Sequence, residues 1–107
     1  MADSNSRIET LKQFLASDPS DDFSEYALAL EFEKTGLRKD AISHFENILK
    51  RNPSYLAAYY QAGRVYEAEK NFSKAAALYE KGMEIARQQG NTKTLNELRT
   101  AFEMMDD

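Results

Sequence analysis

Apolar residues recur along this chain in steps of three and four, and no segment alternates with the two-residue period of a strand, so the pattern predicts helices throughout. The first begins at Ser6, where Ser6 and Glu9 form an S-x-x-E start, and carries Ile8, Leu11 and Leu15 on one face with Phe14 beside them until Asp18-Pro19 stops it. A second, over about 22–35, places Leu28 and Phe32 on a stripe with Ala29 and ends at Gly36. A third, about 38–51, turns Ala41, Phe45, Ile48 and Leu49 inward and ends at "NP". A fourth, about 55–69, carries Tyr59, Ala62, Gly63 and Tyr66. A fifth starts after Asn71, a good N-cap, with Phe72, Ala75, Ala76, Tyr79 and Met83, and closes at Gly90-Asn91. The last, about 92–105, spaces Leu95, Leu98, Phe102 and Met105 by threes and fours. Six short helices with tight connections predict stacked helical hairpins.

The two prolines, Pro19 and Pro53, define an offset along the chain that aligns much else. At that offset Ile8 falls on Ile42, Leu15 on Leu49, Ser20 on Ser54, Tyr26 on Tyr60, Glu33 on Glu67, Ala41 on Ala75 and Glu46 on Glu80. Phe32 meets Tyr66, and Phe45 meets Tyr79. Small residues (Ala29, Gly63, Ala41, Ala75) recur where two helix backbones approach, and the aromatics supply the complementary volume. A larger side chain at the small positions would overpack by about 1–3 kcal/mol, and truncating a buried aromatic would cost about 3–5 kcal/mol.

With this period, the chain resembles the tetratricopeptide repeat family, whose unit is a helical hairpin of about 34 residues with an L-G…Y…A…F…P pattern. Leu28, Ala29, Phe32, Gly36, Ala41, Phe45 and Pro53 carry the likeness in a first unit, 22–55. Ala62, Gly63, Tyr66, Ala75 and Tyr79 carry it in a second, 56–89, with Tyr59 where the family often has tryptophan. Residues 6–19 look like the second helix of an incomplete preceding unit, and 91–105 like a capping helix whose polar face, Lys93, Asn96, Glu97 and Arg99, meets water. The resemblance implies one all-α domain, a right-handed stack of antiparallel hairpins. Ends that read as capped lead to the expectation of a complete chain. Three positions depart from the pattern: Arg87 replaces the second unit's proline, so that helix is expected to run on to about Gln89; Gly82 stands where alanine is usual; and Lys70 replaces a turn glycine. A glycine inside a helix costs roughly 0.5–1 kcal/mol relative to alanine.

Composition narrows the function. The 107 residues are 42% hydrophobic and 30% charged, ordinary for a globular domain rather than a disordered one. With no cysteine, disulfides, thiolate zinc sites and cysteine nucleophiles are excluded. A net charge of −4 argues against a nucleic-acid binder, which needs a basic stripe. No apolar run approaches the roughly 20 residues of a membrane span, and the start lacks a signal-peptide core, so a cytoplasmic setting is expected.

No catalytic constellation is present. His44, the only histidine, has no partners at ligand or relay spacing and reads as a surface residue. "SDDFSE" lacks the glycine and spacing of a calcium loop and supplies acidic residues to a helix N-terminus instead. No cofactor or metal is expected, and an enzyme is not.

Protein binding is the function the resemblance implies. First helices of successive hairpins line a concave groove in such arrays. The corresponding positions are Phe23, Tyr26, Leu30, Glu33 and Lys34 on one helix and Ala57, Tyr60, Arg64, Glu67 and Ala68 on the next. Tyrosine and arginine dominate interface hot spots. Positions at which some family members clamp acidic chaperone tails hold Tyr26, Leu30, Gln61, Asn91 and Leu95, so that basic clamp is missing. The groove suits a helix or an extended apolar segment of a protein partner. Alternatively, Phe23, Tyr26 and Leu30 are covered by the N-terminal helix or only edge the interhelix packing. A second functional reading is a self-associating subunit, a homodimer joined through the last helix at Leu98 and Met105 with Met104 beside them.

Overall fold

A computed structural model of the chain describes residues 3–105, all of whose regular structure is helical. The helices are α1 (Ser4–Ser17), α2 (Asp22–Lys34), α3 (Arg38–Arg51), α4 (Leu56–Ala68), α5 (Phe72–Gln89) and α6 (Thr92–Glu103). α2 pairs with α3 and α4 with α5 as hairpins, while α1 packs on α2 and α6 on α5. As in other repeat arrays, the main contacts run between successive helices.

The joints repeat as the sequence does. Asp18 accepts a hydrogen bond from the Ser20 N–H at 3.2 Å, and Asn52 accepts one from the Ser54 N–H at the same distance. Each is an Asx turn folded over the intervening proline, which fixes the exit from the preceding helix. The hairpin turns use a second device. At Gly36 (φ 82°), Lys70 (φ 63°) and Gly90 (φ 68°) the chain passes through the left-handed region. There the next residue, Leu37, Asn71 or Asn91, donates back to Phe32, Tyr66 or Ala86 at 2.8, 2.9 and 2.9 Å. Lys70 therefore adopts the conformation of the glycine it replaces, at about 1–2 kcal/mol for an L-residue.

The start of α1 differs from expectation. Asp3, not Ser6, is the cap: its carboxylate accepts from the Ser6 N–H at 2.8 Å, and the helix begins at Ser4. A carboxylate three residues upstream is a charged acceptor beside the positive helix end and displaces the hydroxyl cap.

The core forms where small residues let helices close. Ala29, Ala41, Phe45, Ile48, Ala62, Ala75, Tyr79 and Leu98 are all fully buried. A Cβ built on Gly63 would lie 2.4 Å from the Tyr79 ring, so that ring rests on bare backbone. Gly82 does the same for the last helix: a Cβ there would come within 2.9 Å of Tyr59 Cβ and 3.0 Å of Leu98 Cδ1. The expected cost of a glycine inside a helix is thus offset by a slot that Leu98 fills.

His44 is also not a plain surface residue. Its ring stacks on Phe32 (centroids 5.4 Å apart, planes 10°), and its Nδ1 lies 2.8 Å from Glu25 Oε2. Buried Glu25 also accepts from Asn47 at 3.2 Å and pairs with Arg51 at 2.7 Å. Arg51 in turn reaches Asp22, forming a polar lock between α2 and α3. The buried carboxylate is tolerated because three donors surround it.

Gly82→Ala, which intrinsic helix propensity would favour, is expected to lower stability by about 1–3 kcal/mol through overpacking against Tyr59 and Leu98. The urea midpoint of the variant measures this; a midpoint at or above wild type would disprove the slot.

Candidate functional site

On the first arms α2 and α4, the sequence-predicted groove residues divide into two sets. Tyr26 is half-buried; its ring meets Phe45 edge-on at 5.8 Å and tilts against Tyr55 at 5.6 Å. Burial raises its hydroxyl pKa, opposed by Gln61 and Arg64 nearby on α4. Leu30 packs partly against the core. These two are both packing residues and surface. Phe23 stands apart from them at 75% exposure, one helical turn before Ala27.

On α4, Tyr60 is half-buried beside Tyr79 (6.5 Å), and the Arg64 guanidinium lies 6.0 Å over its ring while donating to Gln61 Oε1 at 3.2 Å. This aromatic–cation pair is an ordered, part-exposed surface. Glu67 is differently employed: it accepts the Tyr79 hydroxyl at 2.5 Å and so holds the core instead of offering a free charge. Burial, then that hydrogen bond, pushes the Tyr79 phenol far up. Tyr66 and Glu46 form the matching pair in the next layer at 2.7 Å.

α6 enlarges the site. A cavity of about 390 Å³ opens between α4 and α6, lined by Tyr60, Asn96, Glu97, Thr100, Ala101 and Met104. Sequence reasoning assigned Asn96 and Glu97 only to a water-facing cap and missed Thr100 and Met104 as lining. The cause is a register change. α4, starting at Leu56, follows α2 by one full period, but α6 starts at Thr92, two positions past the next, because α5 runs on to Gln89. Leu98, which a strict repeat step aligns with Leu30 and Arg64, is instead turned into the Gly82 slot. Being fully buried, it cannot serve as the exposed self-association residue expected from the sequence; Met105 is half-buried against the core, and Met104 is 78% exposed. The Asn91 side chain caps α6 by accepting from the Thr94 N–H at 3.1 Å.

Among the described residues, no three His, Asp or Glu side chains gather as a metal site, and no helix is long and apolar enough to cross a membrane. The arrangement offers shape, aromatic surface and charge.

Stacked hairpins with small-on-aromatic contacts and a face built from first arms define a helical-repeat scaffold. The sequence profile of the tetratricopeptide repeat family matches residues 26–90. A solution NMR structure of a tetratricopeptide repeat domain protein from Salinibacter ruber is 36% identical and superposes with a TM-score of 0.78, covering 83% of this chain and 90% of that one. A crystal structure of a tetratricopeptide repeat domain protein from the same organism, also 36% identical, gives 0.72 over 77% and 91%. A crystal structure of MamA protein shares the fold, with a TM-score of 0.77 at 22% identity over 82% of this chain and 48% of that one. No curated protein matches the sequence. The chain belongs to the tetratricopeptide repeat family, whose members generally mediate protein–protein interaction and are generally non-catalytic.

The tyrosine–glutamate pegs set an alkaline limit. Burial first, and then the Glu46 hydrogen bond, push Tyr66 from 10.0 up to about 12. The folded state thus holds this proton more tightly than the unfolded chain, so the stabilisation is complete below pH 10 and lost as pH rises through about 12. Urea midpoints measured from about pH 8 to about pH 12 should fall across that window. Tyr66→Phe should cost about 1 kcal/mol at neutral pH and flatten the alkaline fall; an unchanged pH profile would exclude the peg.

Proposed function

We propose that this protein is a non-catalytic interaction module whose concave face, built by α2, α4 and α6, takes an amphipathic helix or extended apolar segment of a partner protein. The observation that carries this reading is the α4–α6 cavity, lined by part-exposed Tyr60, with Arg64 over its ring, together with Met104, Ala101 and the polar Asn96, Glu97 and Thr100. An aromatic anchor next to an arginine and a flexible thioether is the surface chemistry of adaptable peptide recognition. Tyr26 and Leu30 extend the apolar track along α2. A cytoplasmic setting belongs to the same proposal.

Arg64→Glu and Met104→Glu change exposed side chains and should leave the fold intact by circular dichroism. Each is expected to weaken the complex with a partner captured by the wild-type protein by about tenfold or more, ~1.4 kcal/mol. Lys81→Glu, on the second arm α5, should have no effect. If both groove variants bound that partner as tightly as wild type, the concave face would not be the binding surface.

A further inference from the structure

The two ends of the solenoid are unlike. At the C-terminal end, the outward positions of α6 (Thr92, Lys93, Arg99, Glu103) are exposed and polar, as a terminal cap requires. At the other end, α1 corresponds to the second arms α3 and α5 by one and two repeat steps. One repeat step carries Arg7, Leu11 and Phe14 onto Ala41, Phe45 and Ile48 of α3, all fully buried, and a second carries them onto Ala75, Tyr79 and Gly82 of α5, also buried. This stripe is covered twice within the molecule, by α2 and by α4. On α1, Leu11 lines an open cavity of about 430 Å³ and Phe14 is 54% exposed. α2 adds Ala27 to the cavity wall and Phe23 beyond it.

This face is complementary to itself. The ion pair between Arg7 Nη1 and Glu31 Oε1, 2.9 Å, sets α1 and α2 level at one end of the cavity. Because the helices run antiparallel, Leu11 then stands level with Ala27, and Phe14 with Phe23. A two-fold axis running alongside both helices, between two such faces, lays α1 of one copy over α2 of the other at the same height. Arg7 then meets Glu31 across the interface, bulky Leu11 meets small Ala27, and Phe14 meets Phe23. The Glu31 carboxylate stands at the rim of this face between Arg7 and Ser4, and its buried Oε2 is left with no hydrogen bond of ordinary length among the described residues.

We propose that this face joins two copies of the chain in a two-fold dimer. Head-to-tail stacking is disfavoured, since it would press these phenylalanines on the polar surface of α6, whereas an isologous contact closes after two copies and leaves both concave faces open. The dimer therefore presents two grooves, and a partner bearing two binding segments is held by avidity. Its test reads mass and is independent of whether the groove reading holds.

Sedimentation of the full chain from about 1 to about 100 µM should show twice the 12.2 kDa chain mass at the upper end. Phe14→Glu combined with Phe23→Glu, both at exposed sites, should weaken self-association by about 100-fold or more, corresponding to ~2.7 kcal/mol, with an unchanged circular dichroism spectrum. Arg7→Glu alone and Glu31→Arg alone should each be monomeric, because like charges face each other across the axis. An equimolar mixture of these two variants should restore a dimer. A wild-type mass of one chain throughout would overturn the proposal and leave the face to a helix of another protein. So would a dimer that survives the phenylalanine changes. A mixture that stays monomeric would overturn the two-fold arrangement.

Discussion

Everything in this fold depends on how near a second-arm aromatic ring can come to a first-arm backbone. Tyr79 rests against Gly63 where even one methyl group would collide, and that approach brings its hydroxyl to Glu67 on the same first arm. Ring, bare backbone and carboxylate form one unit: the glycine admits the ring, and the hydrogen bond satisfies the buried phenol. Tyr66 and Glu46 make a related peg from α4 to α3. Together they fasten α4 on both sides, and α4 carries Tyr60 and Arg64. The candidate groove is therefore mounted on a helix held from both sides.

The architecture was legible in the sequence because its determinants are local and periodic. Alanine or glycine against an aromatic, and an Asx-proline-serine joint, are short patterns that survive translation by one repeat length. What escaped was anything set by a single departure from the period. Arg87 in place of proline lets α5 continue, the next helix starts two residues late, and its faces turn accordingly. That shift buries Leu98 and brings Asn96, Thr100 and Met104 to the cavity. Gly82 read as a small defect while its partner, Leu98, was assigned elsewhere; the two make sense only together. His44 was invisible for another reason: its partners, Glu25 and Phe32, lie on a different helix, and only the hairpin angle brings them within reach. Of the candidate site, the α4 residues were legible from the repeat, whereas the α6 wall was not.

The outer helices α1 and α6 differ in the surface they present. The C-terminal helix presents amide and charged groups to solvent. The N-terminal pair exposes two phenylalanines around an apolar cavity rimmed by one ion pair. Apolar surface with opposite charges at one edge is specific in a way that apolar surface alone is not, since it fixes orientation as well as favouring burial.

The Asx joints carry a consequence for how such a chain can change. Each is closed by a side chain two residues from its own hydrogen-bond partner, Asp18 to Ser20 and Asn52 to Ser54, and the second is also tied to its surroundings, with Asn52 donating to Asp22, Tyr59 to the Pro53 carbonyl and Gln89 to the Ser54 carbonyl. The turn itself is made within three residues, and the neighbouring helices add to it. A further hairpin spliced in after Ser54 would inherit a working turn at its start and, ending in its own Asn-Pro-Ser, would supply one to the helix that follows. Gene duplication could thus lengthen the array one unit at a time, with only the interhelix contacts left for selection to refine.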